Sequence, residues 1–125
     1  MNLDEAVGHM LRVRGDLRSK RGVTDPLFIS ENMQRLTQYT GAVEEHLAVL
    51  EEELDLQEMH IFTGYMKQGK SASAAETLTR FEVGETKGSV ARIKRLVNSS
   101  WSIIKTSQSR YNHLSEEYKQ GGRAV

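Results

Sequence analysis

Residues 64–77 read GYMKQGKSASAAET: two glycines, two lysines and only two large apolar side chains, Tyr65 and Met66. They separate two long stretches of helical periodicity, so their reading decides the fold. Taken literally, Gly64, Gly69, Lys70 and Ser71 satisfy the G-x-x-x-x-G-K-[ST] pattern of a phosphate-binding loop. That loop works only after a buried parallel strand and at the opening of a helix, where backbone N–H groups cradle phosphate. Here it follows a heptad pattern, and no strand–helix–strand alternation exists anywhere in the chain. The stretch is read as a turn over 69–73. Gly69 stops the first helix, and Ser73 and Glu76 have the spacing of a capping box that starts the second.

Upstream of the turn, Asp25 can cap a helix whose first position is Pro26. From there Ile29, Met33, Leu36, Thr40, Val43, Leu47, Leu50, Leu54, Gln57, Ile61 and Gly64 recur in unbroken steps of four and three. Downstream, Val83, Thr86, Val90, Ile93, Val97, Ser100, Ile104, Ser107, Tyr111, Leu114 and Tyr118 do the same. Such seams read as coiled coil. Helices over 25–68 and 74–120 joined by so short a turn must run antiparallel, each roughly 65 Å long. Before them, Leu3, Ala6, Met10, Val13 and Leu17 predict a short helix over 2–21 that stops at Gly22. Gly121 and Gly122 are expected to end the last helix and leave GGRAV as a frayed tail. The chain is thus expected to be all-α: one helical domain over 1–125, a short helix followed by a coiled-coil hairpin.

A two-helix hairpin has one seam and no third wall, and it buries little surface by itself. Apolar residues also flank the seam, among them Phe28, Tyr39, Val49, Leu56, Met59, Phe62, Met66, Phe81 and Leu96. The short first helix can cover only part of this surface, so self-association is expected. Val97, Trp101, Ile104, Tyr111 and Leu114 are the candidate contacts. Polar seam positions such as Thr40, Gln57, Thr86, Ser100 and Ser107 would set register.

The formal net charge is zero, yet the charges are segregated. Residues 25–66 carry nine acids, counting Asp25, against the single base Arg35. From Lys67 onward there are eleven bases and five acids, with no acid between Thr86 and Ser115. Two readings stay open: the acidic and basic arms pair with each other, or the basic arm and tip follow a phosphate backbone. Lys67, Lys70 and Arg80 favour the second, because the acidic block is centred a few turns away.

Nothing else points to chemistry. There is no cysteine, and His9, His46, His60 and His113 are dispersed. His46 and His60 lie about 21 Å apart by helical rise, too far to share a metal. Glu51, Glu52, Glu53, Asp55 and Glu58 contain no Glu-x-x-His pair of the di-iron kind. No serine or lysine has a convincing base partner. No enzyme activity, cofactor or metal is expected, and no apolar run approaches a membrane span. Phe62, Tyr65, Phe81, Trp101 and Tyr111 sit at helical spacing and read as packing residues. Tyr65, beside the tip lysines, is also a candidate for base stacking.

The acidic heptad helix, the tip YMKQGK, the Ser/Ala-rich restart SASAAET and the segment ARIKRLVNSSWSII around Trp101 resemble the small phage recombination mediators of the UvsY type. The likeness covers about residues 30–118. It implies a ring-forming helical homo-oligomer, self-assembling through its C-terminal helix. Such a protein binds single-stranded DNA, contacts the single-strand binding protein and helps load a RecA-like recombinase in the host cytoplasm. Members carry bases just before the tip, where this chain has Glu58 and His60 in LQEMHIFTGY. By local charge, the nucleic-acid contacts fall instead on Lys67, Lys70, Arg80 and Lys87, with Tyr65 beside them. The alternative is a helical protein-interaction adaptor or chaperone with no nucleic-acid binding.

Overall fold

The protein is described by a computed structural model covering residues 1–123, with side chains through Gln120. Among the described residues there are four helices and no strand: α1 (Leu3–Arg18), α2 (Arg21–Thr24), α3 (Pro26–Lys67) and α4 (Ala72–Arg123). The chain is all-α. It divides into two compact units, and α3 and α4 contribute to both. Unit 1 is Met1–Glu44 with the residues from Leu96 onward; unit 2 is Glu45–Arg95.

Unit 1 has three walls. Asn2 starts α1 by accepting the Glu5 N–H at 2.8 Å on its side-chain oxygen. The stripe Ala6, Met10, Val13 and Leu17 is fully buried. It packs with Ile29, Met33, Leu36, Thr40 and Val43 of α3 and with Val97, Ser100 and Ser107 of α4 in the core of the unit. His9 of α1 stacks on Tyr39 of α3, ring centroids 4.9 Å apart. Arg14 of α1 donates to Ser99 Oγ of α4 at 2.8 Å. The first helix therefore docks on its own chain.

The first turns of this unit correct the sequence reading. Helix α1 ends at Arg18, not at residue 21, and Gly22 lies buried inside α2. A Cβ on Gly22 would sit 2.2 Å from the Leu17 carbonyl oxygen. Glycine is needed there for close backbone approach at the chain reversal, not as a helix stop. The Gly22 carbonyl accepts from Arg110 at 2.9 Å, which ties this corner to α4. Asp25 and Pro26 open α3 as their pattern indicates, with the Phe28 N–H donating to the Asp25 carboxylate at 3.2 Å. That bond, helped by Arg21, holds the Asp25 carboxyl below its usual range.

Unit 2 is a two-helix arm. Leu47, Leu54, Ala75, Thr79, Val83 and Val90 are its buried residues. Gln57 and Thr86 hold seam positions in the heptad register yet are exposed. The helices are antiparallel: Lys87 pairs with Glu58 at 2.6 Å and Lys94 with Glu51 at 2.9 Å, seven residues on along one helix and seven back along the other.

The ends of α4 differ from expectation. It starts at Ala72, and its cap is Ser71, whose Oγ accepts the Ala74 N–H at 3.2 Å. Ser73 is already helical, its carbonyl accepting the Thr77 hydroxyl at 3.0 Å. Glu76 pairs forward with Arg80 at 2.9 Å, so no capping box forms at Ser73. At the other end α4 continues through Gly121 and Gly122 to Arg123. Glycine lowers helix propensity by about 1 kcal/mol but does not by itself reverse the chain. Ala124 and Val125 of the expected tail lie outside the described residues. Tyr118, assigned to the seam by its spacing, is 84% exposed. Among the described residues no helix is long and apolar enough to cross a membrane.

Candidate nucleic-acid interface

The tip of unit 2 is built by a glycine. Gly69 has φ +85°, the left-handed region that L side chains disfavour. The Lys70 N–H then donates to the Tyr65 carbonyl at 3.2 Å, and the Gly69 N–H to the Met66 carbonyl at 3.1 Å. This bond pair is a Schellman motif, which satisfies the last carbonyls of α3. Its amides face the end of a helix, so the G-x-x-x-x-G-K-S pattern forms no phosphate cradle.

The motif leaves Lys67 and Lys70 on either side of Gly69, both exposed. Neither ammonium has a carboxylate partner among the described residues. The other two cations assigned to this surface are engaged. Arg80 pairs with Glu76 one turn away, both side chains open to solvent. Lys87 is held by Glu58 on the facing helix. Tyr65 donates its hydroxyl to the Glu82 carboxylate. That bond, with partial burial and the neighbouring negative charge, pushes the phenol above its ordinary range. Of the five residues assigned to nucleic acid, the structure gathers all on the arm and leaves Lys67 and Lys70 unpaired.

The acidic and basic arms thus pair in part within the chain, through Glu58–Lys87 and Glu51–Lys94. Arg92 and Arg95 on α4 remain exposed without a carboxylate partner, and Glu52, Glu53 and Asp55 on α3 remain exposed without a cationic one.

The residues assigned to self-association lie in unit 1. Val97 is buried in the core. Trp101 is half-buried and donates its indole N–H to Glu44. Ile104, Tyr111 and Leu114 are half-buried.

Three residues that matter were not singled out by the sequence reading. Glu82 and Glu44 anchor aromatics across the helix pair, and a register counted outward from the turn could have found them. Arg14 is only 8% exposed, with Nε and Nη1 lacking partners. Burial, together with neighbouring Arg18, lowers its pKa from the ordinary guanidinium value. Its place beside Val13 and Leu17 in the apolar stripe was the available signal.

Among the described residues no cluster of histidines and carboxylates could hold a metal ion. No family model, curated protein or solved structure matches the sequence.

Proposed function

We propose that the protein is a non-catalytic accessory factor that binds single-stranded nucleic acid as a homo-oligomer. It acts in the manner of a recombination mediator that helps load a RecA-like recombinase in the host cytoplasm. The observation that carries this reading is the pair of unpaired, exposed lysines on either side of Gly69. Free ammonium groups at the end of a helical arm bind phosphate through counterion release. One tip supplies two charges and weak affinity; several tips in an oligomer give avidity for a flexible strand. Contacts with a recombinase and a single-strand binding protein belong to the same reading.

The test is anisotropy of a labelled strand of about 40 nucleotides titrated with the protein at two salt concentrations. Salt-sensitive binding that falls when Lys67 and Lys70 are both replaced by alanine supports the reading. No binding at low salt overturns it. In that case the exposed apolar residues Leu56, Met59 and Phe81 favour the second reading, a helical interaction module that acts on protein partners alone.

A further inference from the structure

Helix α3 carries a second heptad seam on the side of the arm away from α4. Glu45, Val49, Glu52, Leu56, Met59, Thr63 and Met66 follow one another in steps of four and three, and every one is exposed. Leu56 and Met59 are 60% and 63% exposed. At about 100° per residue these positions lie half a turn round from the buried Leu47 and Leu54. Helix α4 has its own outward stripe, Leu78, Phe81, Glu85, Gly88, Arg92 and Arg95. Phe81 is 86% exposed, an unusual position for an aromatic ring on a two-helix arm.

Charge selects the occupant. The α3 stripe is flanked and interrupted by carboxylates without partners in the arm: Glu45, Glu52, Glu53 and Asp55. Two α3 stripes brought face to face would set these acids against one another. The α4 stripe offers the complement, with Arg92 and Arg95 exposed; the Arg92 guanidinium lies beside Gly88 and donates to Ser89 at 3.0 Å, with no carboxylate partner in the arm. The positions also match. Within the arm Glu58 lies level with Lys87, and Glu51 with Lys94. If two copies lie side by side in the same orientation, the α4 stripe of one meets the α3 stripe of the next at those levels. Phe81 then falls between Thr63 and Met66, Gly88 between Leu56 and Met59, Arg92 beside Glu52 and Glu53, and Arg95 between Val49 and Glu52.

We infer that unit 2 is the self-association surface, and that copies pack head-to-tail, the acidic apolar face of α3 against the basic face of α4 in the next copy. This deepens the homo-oligomer part of the reading above and rests on it. It moves the contact away from residues 97–114, whose apolar groups are largely engaged in unit 1. A head-to-tail contact of this kind propagates and closes only as a ring.

Sedimentation of the full chain without nucleic acid tests the contact apart from DNA binding. The wild type is expected to associate, and the Lys67/Lys70 double alanine equally so. Glu52→Arg alone and Arg92→Glu alone should each weaken association by about tenfold or more. The double variant, and an equimolar mixture of the two single variants, should restore it, because either arrangement recreates opposite charges at every contact. Circular dichroism checks that each variant keeps its helix content. Independently, Met66→Cys in one copy and Phe81→Cys in another should form a mixed disulfide, which the absence of native cysteine makes unambiguous. A wild type that is monomeric at all concentrations overturns the inference. So does an Arg92→Glu variant that associates normally, or Met66→Cys that cross-links to itself and not to Phe81→Cys. A monomeric wild type would also remove the avidity of several tips; the other two results locate the contact alone and leave the strand-binding titration to the tip lysines.

Discussion

Unit 1 and unit 2 are built from the same two helices with the same heptad rhythm, yet one is walled on three sides and the other on two. In unit 1 the stripe Ala6, Met10, Val13 and Leu17 supplies the third wall, and Leu36, Thr40 and Val43 are fully enclosed. In unit 2 no third helix is present, and Val49, Leu56, Met59 and Phe81 stay open. A heptad seam therefore states where a helix can pack, not how much it buries. The third element decides that.

The largest effects should break or confirm this contrast directly. Leu36→Ala removes a fully enclosed side chain and should cost about 3–4 kcal/mol. Leu54→Ala, at the better-covered part of the arm, should cost roughly half as much, because solvent can fill what is lost. Chemical denaturation of the two variants compares them. Native-state hydrogen exchange should show the same order, with amides of 29–43 protected near the global limit and those of 52–66 opening more easily. Equal protection across both units at low protein concentration would refute the contrast.

Gly22→Ala comes next. A Cβ driven to 2.2 Å from a backbone carbonyl cannot be accommodated by a side-chain shift. The expected cost is about 2 kcal/mol, read as a fall in midpoint on denaturation. Gly8→Ala is the control. Nothing lies within 4 Å of the Cβ it would add, so the change should stabilise by up to about 1 kcal/mol.

Much of this was legible in the sequence, and the failures have a common physical origin. Periodicity found the buried faces of α1, α3 and α4, and the Asp25–Pro26 signal placed the opening of α3. Glycine was less legible, because one letter stands for several uses. Gly69 is a stop with positive φ, Gly22 is a close-approach residue inside a helical turn, and Gly121–Gly122 interrupt nothing. The candidate site was legible as a cluster but not as a circuit. Local charge picked out Lys67, Lys70, Arg80 and Lys87; Glu76, the partner of Arg80, was readable one turn back on the same helix, whereas Glu58, the partner of Lys87, depends on register across the turn. The two outward stripes were visible as letters beside the seam, and only the exposure of each showed that they remain uncovered.

Arg14→Met probes the third wall from its weakest point. The guanidinium is buried with one hydrogen bond, to Ser99, and two of its nitrogens lack partners. Replacing a poorly satisfied buried cation by an apolar side chain of similar length is often neutral or stabilising. The variant should gain about 1 kcal/mol, seen as a higher unfolding midpoint. The matching change in the arm, Lys94→Met, removes an exposed pair and should move stability by less than about 1 kcal/mol. A large loss on Arg14→Met would mean that the α1–α4 contact depends on its bond to Ser99.

The smallest effect separates two serines two residues apart. Ser71 Oγ accepts the Ala74 N–H and satisfies a donor that α4 cannot satisfy internally. Ser71→Ala should therefore cost about 1 kcal/mol, and Ser71→Asp should recover it, since an acid at the start of a helix also meets the positive end of its dipole. Ser73 has the better capping spelling, with Glu76 three residues on, but its backbone is already helical. Ser73→Ala should be neutral or slightly stabilising, because alanine is the better helix former and no cap is lost. Measured by thermal unfolding at low protein concentration, the pair reports where α4 begins. If Ser73→Ala were the costly one, the helix would start two residues later, and the left-handed turn at Gly69 would no longer lead directly into it.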